Sequence, residues 1–189
     1  KTRILVANKL FEAHKAGKIR MAIGRAADFF GPRATDTAVF GDRFFDAAFA
    51  GKAADTFGDT ALPHTYTYVP DFARALITLS EHEEALGKAW HVPNHATLST
   101  QAMIKHFEAE IGQPIKTRTV NRFMLTMVGM FVPIVREMKE MAYEFEEPYV
   151  VDDSQFRAVF GAQTTPTDEA VRATVAWFRQ HAAAQKQAA

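Results

Sequence analysis

Helix-forming stretches alternate with short apolar runs along this chain, and that alternation restricts the fold more than any single motif. Residues 2–16, TRILVANKLFEAHKA, place Ile4, Ala7, Leu10, Phe11 and His14 on one side at helical spacing, and Gly17 stops the run. An amphipathic helix is predicted. The next run, IRMAIGRA from Ile19 to Ala26, is apolar in the middle and reads as a buried strand, although so few residues also suit a helix. Helix followed by strand is the rhythm of an α/β protein.

After Gly31-Pro32 the text becomes an excursion of scattered aromatics and glycines, with one helix expected near Arg43 to Ala50. TYTYV, Thr65 to Val69, alternates like a strand. Pro70-Asp71 then opens a helix with Phe72, Ala75, Leu76 and Leu79 on one face. KAWHVPN predicts another core strand. Ser99 or Thr97 can cap the helix TQAMIKHFEAEIG, which ends at Gly112 with Pro114 beyond. From Arg118 the chain reads as mainly helical to Tyr143. A short strand in EEPYVV, a short helix ending at Gly161 and a last helix begun by Thr167-Asp168-Glu169 follow, the last carrying Val171, Val175 and Phe178 inward. The closing AAAQKQAA is expected to fray. There is no internal repeat.

Composition excludes several functions. Of 189 residues, 48% are hydrophobic and 23% charged, with formal net charge zero, so nothing electrostatic favours nucleic acid or an anionic membrane as partner. Without cysteine there can be no disulfide, thiolate metal site or thiol nucleophile, which fits the cytoplasm. The longest apolar stretch, Met124 to Val135, is broken by Thr126, Gly129 and Pro133 and falls short of the roughly 18 residues of a membrane span. The first residue is Lys1 and no signal-peptide pattern follows, so a fragment of a longer chain is expected. His91 and His95 are four apart, but Pro93 breaks the helix that would align them, and no metal site is expected. Met124, Met127, Met130, Met138 and Met141 suit either an adaptable pocket or a helix core. Arg136, Glu137 and Glu140 suit a surface ion-pair cluster or a buried pair, and Asp152-Asp153 a helix cap.

Taken in order, the first helix, GRAADFFGP, the excursion, TYTYVPDFARAL, AWHVPN and VVDDSQFRAVFGAQTTPTDEAVRATVAWFR resemble the C-terminal part of the extended short-chain dehydrogenase/reductases, the NAD-dependent epimerase/dehydratase family. The resemblance covers nearly the whole chain. It implies an α/β fold: the C-terminal part of a Rossmann-like doubly wound sheet (residues 1–31 and 65–96) with a mainly helical substrate-binding domain (residues 32–64 and 97–189). It also implies NAD or NADP in a full-length parent, and a homodimer through the first helix. The family's glycine-rich turn is absent from the ten glycines, and none of Tyr66, Tyr68, Tyr143 or Tyr149 has a lysine four residues on, so both elements are expected upstream. Alignment of the first helix puts the family's catalytic lysine at Arg3, or at Lys1 if the spacing slips. An arginine there can bind ribose hydroxyls but titrates too high to share a proton; a plain surface cation is the alternative.

By the same resemblance, Ala26 and Ala27 would lie against the nicotinamide. Asp28 would take the place of a substrate-contacting asparagine, with Phe29 and Phe30 walling the pocket; from the residues alone, Asp28 as a turn cap and two core phenylalanines are the rival reading. His64 stands seven residues before Asp71, where nucleotide-sugar members carry a phosphate-binding arginine. That departure favours a smaller uncharged or ketone-bearing substrate, unless His64 is a satisfied surface residue beside Pro63. The expected function is NAD(P)-dependent oxidoreduction or epimerisation of a small carbonyl or hydroxyl substrate by the parent, with the fragment inactive. A non-catalytic NAD(P)-binding sensor or scaffold is the alternative, and a free-standing binding domain with an unpaired sheet edge a third.

Overall fold

The structure, a computed structural model, describes residues 2–35, 38–120, 142–161 and 164–188. Helix α1 (Thr2–Lys15) leads to β1 (Ile23–Arg25) and β2 (Asp28–Phe30), α2 (Asp42–Phe49), β3 (Ala54–Phe57), β4 (Pro63–His64) and β5 (Tyr66–Tyr68). Then come α3 (Val69–Glu81), β6 (Ala89–His91), β7 (Leu98–Ser99), α4 (Thr100–Ile111), β8 (Thr117–Val120), α5 (Ser154–Phe160) and α6 (Thr167–Ala188). Single 3₁₀ turns occupy Glu83–Ala85 and Ala142–Phe145.

Short apolar strands need a partner on each face, and two parallel pairs supply the frame. β1 lies parallel to β6, with Gly24 opposite Trp90, and β2 parallel to β5, with Asp28 opposite Tyr66 and Phe30 opposite Tyr68. β3 and β8 pair in parallel and β4 and β7 antiparallel. Two apolar cores flank this frame. One joins α2, α4 and α6: Phe45 stacks on Phe178 with centroids 4.3 Å apart, and Phe107 meets Phe40 and Phe45 edge-on. The other surrounds Trp90, whose indole nitrogen donates to the Ala85 carbonyl (2.9 Å) and whose ring meets Phe156 and Phe160.

Several expectations need correction. α1 forms, but none of its residues is buried, and Ile4, Leu5 and Val6 are each more than half exposed. Three consecutive apolar residues spread over some 200° of helix, so they cannot share one inward stripe. In α3 the buried face is Asp71, Ala75 and Leu79, while Leu76 is partly exposed. Of the two candidate caps for α4, Ser99 accepts the Ala102 amide (3.1 Å), whereas Thr97 bonds the Thr65 hydroxyl (3.0 Å). At α5, Asp152 accepts the Ser154 amide, and Asp153 turns instead to Arg157 and the Asn94 amide. The strand expected in EEPYVV reduces to one bridge between Tyr149 and His64. Residues 117–120 are strand, and α6 continues as helix to Ala188 rather than fraying. The methionine set and the Arg136, Glu137 and Glu140 cluster lie outside the described residues. Among the described residues no helix is long and apolar enough to cross a membrane.

Candidate functional site

Only Ala26 and Ala27 separate β1 from β2, so the chain changes strand partner within two residues just past the carboxyl end of β1. Buried polar side chains hold this turn. The Ala27 amide donates to the Thr67 hydroxyl (2.9 Å), which donates in turn to the Asn94 side-chain oxygen; the Asn94 side-chain amide donates to the Val92 carbonyl (2.9 Å). The Asn94 backbone is clasped from α5, its amide by Asp153 (2.6 Å) and its carbonyl by Arg157 (2.7 Å). Thr67 is fully buried and Asn94 nearly so, and each spends its polar atoms on this knot.

The turn delivers Asp28 to His64. Nε2 of His64 lies 2.8 Å from Oδ2 of Asp28, across 36 residues of sequence. His64 is not at the surface beside Pro63: its side chain is 3% exposed, against 32% for Asp28. Aromatic rings close around the imidazole, Phe145 nearly parallel at 5.0 Å, Tyr66 at 4.7 Å and Tyr149 at 5.0 Å. Backbone bonds hold these rings in place, from the Tyr149 amide to the Pro63 carbonyl (2.9 Å), from the Thr65 amide to the Tyr149 carbonyl (2.8 Å) and from the Asp59 amide to the Phe145 carbonyl (2.8 Å).

Gly58 makes the last of these possible. Its φ is +56°, and a Cβ there would sit 2.1 Å from the Phe145 carbonyl oxygen, a fixed backbone atom. Gly58→Ala is expected to cost about 2 kcal/mol from left-handed strain and a displaced 142–145 segment together. Urea unfolding measures that loss, and an unchanged midpoint would show that the segment yields freely.

Charge around the pair is coupled. Burial, reinforced by the charge of Asp28, holds the Glu144 carboxyl above its ordinary value, and the Tyr143 hydroxyl, with His64 and Arg3 nearby, eases it back. Burial followed by Asp28 and Glu144 raises the Tyr149 hydroxyl, and burial raises that of Tyr66 against a 2.8 Å bond with Thr100. Arg3 therefore lies within electrostatic reach of Glu144. On α1 it borders a shallow apolar hollow of about 260 Å³ with Thr2, Val6, Ala7, Leu10 and Ile23.

The residues singled out from sequence thus fall in different places. Asp28 and His64 touch. Phe29 is half-buried with its ring edge-on to Phe72 (5.2 Å), whereas Phe30 is wholly enclosed between Tyr68 and His95. Ala26 is half-buried and Ala27 buried. His91 and His95 turn to separate partners, His91 Nδ1 to the Asp152 carbonyl (3.0 Å) and His95 Nε2 towards Asp71 (3.3 Å), a close approach rather than an aligned hydrogen bond. Among the described residues no group of three or more His, Asp or Glu side chains is placed to hold a metal. Thr67, Asn94, Glu144, Phe145 and Tyr149 escaped the sequence reading; the polar residues at inward positions of TYTYV and VPN were the available signal.

No family model matches the chain, and no curated protein matches it. Solved structures do. A UDP-glucuronic acid 4-epimerase from Bacillus cereus, in complex with UDP-glucuronic acid and NAD, superposes on 92% of this chain with a TM-score of 0.70 and 18% identity. An epimerase from Methanothermobacter thermautotrophicus superposes on 98% of it with a TM-score of 0.77 and 15% identity. The chain has their fold. A dTDP-glucose 4,6-dehydratase from Streptomyces venezuelae with NAD bound agrees over 95% of this chain, with a TM-score of 0.71 and 15% identity. In each case the chain spans about half of the neighbour's length, 50%, 51% and 49%. The α/β architecture expected from the sequence is the fold it shares with about half the length of these Rossmann-type proteins.

Proposed function

We propose that this chain is the C-terminal portion of an NAD(P)-dependent oxidoreductase or epimerase acting on a small carbonyl or hydroxyl substrate. The observation that carries the reading is the Asp28–His64 pair, set just past the carboxyl end of a parallel strand, where open α/β sheets take their ligands. Residues 1–31 and 65–96 would belong to the cofactor domain and residues 32–64 and 97–189 to the substrate domain. Solved neighbours that hold NAD support the choice of cofactor.

The residues present fit the nicotinamide end of such a cofactor. Ala26 and Ala27 carry nothing beyond Cβ, and the Ala27 amide is already donated to Thr67, so they would offer close approach and shape rather than hydrogen bonds. NAD(P), when bound, supplies the ring that takes or gives a hydride. Arg3 would hold ribose hydroxyls without sharing a proton. Asp28 and Phe29 would meet the substrate, with Phe30 and His64 supporting them from behind. Although some neighbours bind UDP-sugars, an imidazole committed to a carboxylate is a poor clamp for phosphate. The exposed apolar residues of α1 would be covered in a homodimer, and a cytoplasmic setting suits a chain without cysteine.

In the parent, absorbance of NAD(P)H should fall with small ketones or aldehydes. Tight cofactor binding with no turnover on any of them would favour the sensor or scaffold reading. The 189-residue chain alone, lacking GxGxxG, should show no tight NADPH binding in a fluorescence titration. Micromolar affinity there would overturn the division of labour proposed here.

A further inference from the structure

We propose that Asp28 is the ligand-touching member of the Asp28–His64 pair, and that it selects a hydroxyl or amine donor while excluding phosphate and carboxylate groups. The inference rests on the substrate reading above and specifies its chemistry. The exposures decide the direction: one third of the Asp28 side chain is open, while His64 is enclosed by Phe145, Tyr66 and Tyr149. A ligand can therefore reach the carboxylate and not the imidazole. Oδ2 of Asp28 takes the bond from His64, and Oδ1 is bonded by no described residue. His64 thus acts as a positioning residue, fixing the carboxylate so that its second oxygen presents acceptor lone pairs outward.

An acceptor-only group selects by charge as well as by hydrogen bonding. A hydroxyl or ammonium pointed at Oδ1 gains a charge-assisted bond, whereas a phosphate or carboxylate there meets like charge and finds no donor. Glu144 lies close enough for Asp28 to oppose its ionisation, so an incoming anion faces a second acidic group. Of the basic groups that ease the ionisation of Glu144, His64 is spent on Asp28 and Arg3 stands on α1. The rings of Tyr149 and the exposed Tyr143 add aromatic surface compatible with an apolar or cationic body.

Three probes with one apolar body separate these effects: cyclohexanol, cyclohexylamine and cyclohexanecarboxylate, with UDP as a fourth. Each is titrated into the 189-residue chain while the backbone amides of Asp28, Thr65 and Tyr149 are followed by NMR. The alcohol and the amine should shift these amides and saturate, and the carboxylate and UDP should not. Asp28→Asn should lower the amine-to-carboxylate preference about tenfold. His64→Gln, which keeps a donor, should retain that preference, and His64→Leu should weaken both donors while leaving the rest of the amide spectrum in place. Equal binding of the anions, an unchanged preference in Asp28→Asn, or no saturable shift with any probe would each overturn the proposal. None of these outcomes bears on hydride transfer by the parent, which stands or falls on its own assay.

Discussion

Asp71→Asn is expected to lower the unfolding free energy by about 3 kcal/mol, because it disarms a buried carboxylate with four partners. Asp71 is 4% exposed. It accepts the Thr165 amide (3.0 Å) and hydroxyl (2.7 Å), receives the Arg74 guanidinium, and lies 3.3 Å from His95 Nε2. It thereby ties the first turn of α3 to the segment entering α6 and to the loop after β6. Asparagine keeps one acceptor and turns an NH₂ towards these donors. For a chain of this size the loss corresponds to a melting temperature lower by roughly 6–12 °C.

The same group sets a pH dependence. Burial alone would raise the Asp71 carboxyl, but the nearby His95 ring and the bonds from Thr165, with Arg74, outweigh it and hold the folded value below the ordinary 3.8. A depressed folded value means that the stabilisation is complete above the unfolded value and drains away as the pH falls through the folded one. Urea unfolding at neutral pH and at successively more acid pH should show the gap between wild type and Asp71→Asn closing only below the ordinary aspartate range. A gap under 1 kcal/mol at neutral pH would mean that the network is rearranged at little cost.

Local signals carried much of the fold and tertiary ones the rest of it. α4 was legible because Ser99 and Gly112 bracket a helical pattern, and α6 because acidic residues open it and Val171, Val175 and Phe178 repeat at helical spacing. α1 was legible as a helix but not as a surface: the same leucine and isoleucine side chains read as a stripe or as an exposed turn, and only neighbours distinguish the two. Asp28 and His64 were each marked from sequence, yet nothing local says that residues 36 apart share a hydrogen bond. Thr67 and Asn94 are single polar residues in apolar runs, and their role emerges only once β1, β5 and β6 converge. Phe145 and Tyr149 reach the site because Gly58 and Pro63 dock their backbone, a contact spanning some 85 residues with no periodic trace.

The aromatic core offers the second large test. Phe107→Ala should cost about 4 kcal/mol, the transfer free energy of a wholly buried ring plus the cavity it leaves. Phe40, Phe44 and Phe45 surround that ring with centroids 5.0, 6.0 and 5.1 Å away, and Phe45 is stacked on Phe178 in α6, so α2, α4 and α6 all lose contacts together. The damage should not stop there. Phe40 also lies against Tyr66 (5.0 Å), and Tyr66 against His64 (4.7 Å), so a chain of rings joins this core to the candidate site. Thermal unfolding measures the first effect and the His64 ring resonances the second. Phe107→Leu, which keeps most of the volume, should cost only about 1.5 kcal/mol and leave those resonances in place. If alanine proves as mild as leucine, the cluster repacks around the gap. If alanine destabilises the chain without moving the His64 signals, the knot of Thr67 and Asn94, rather than the aromatic core, holds the site in register.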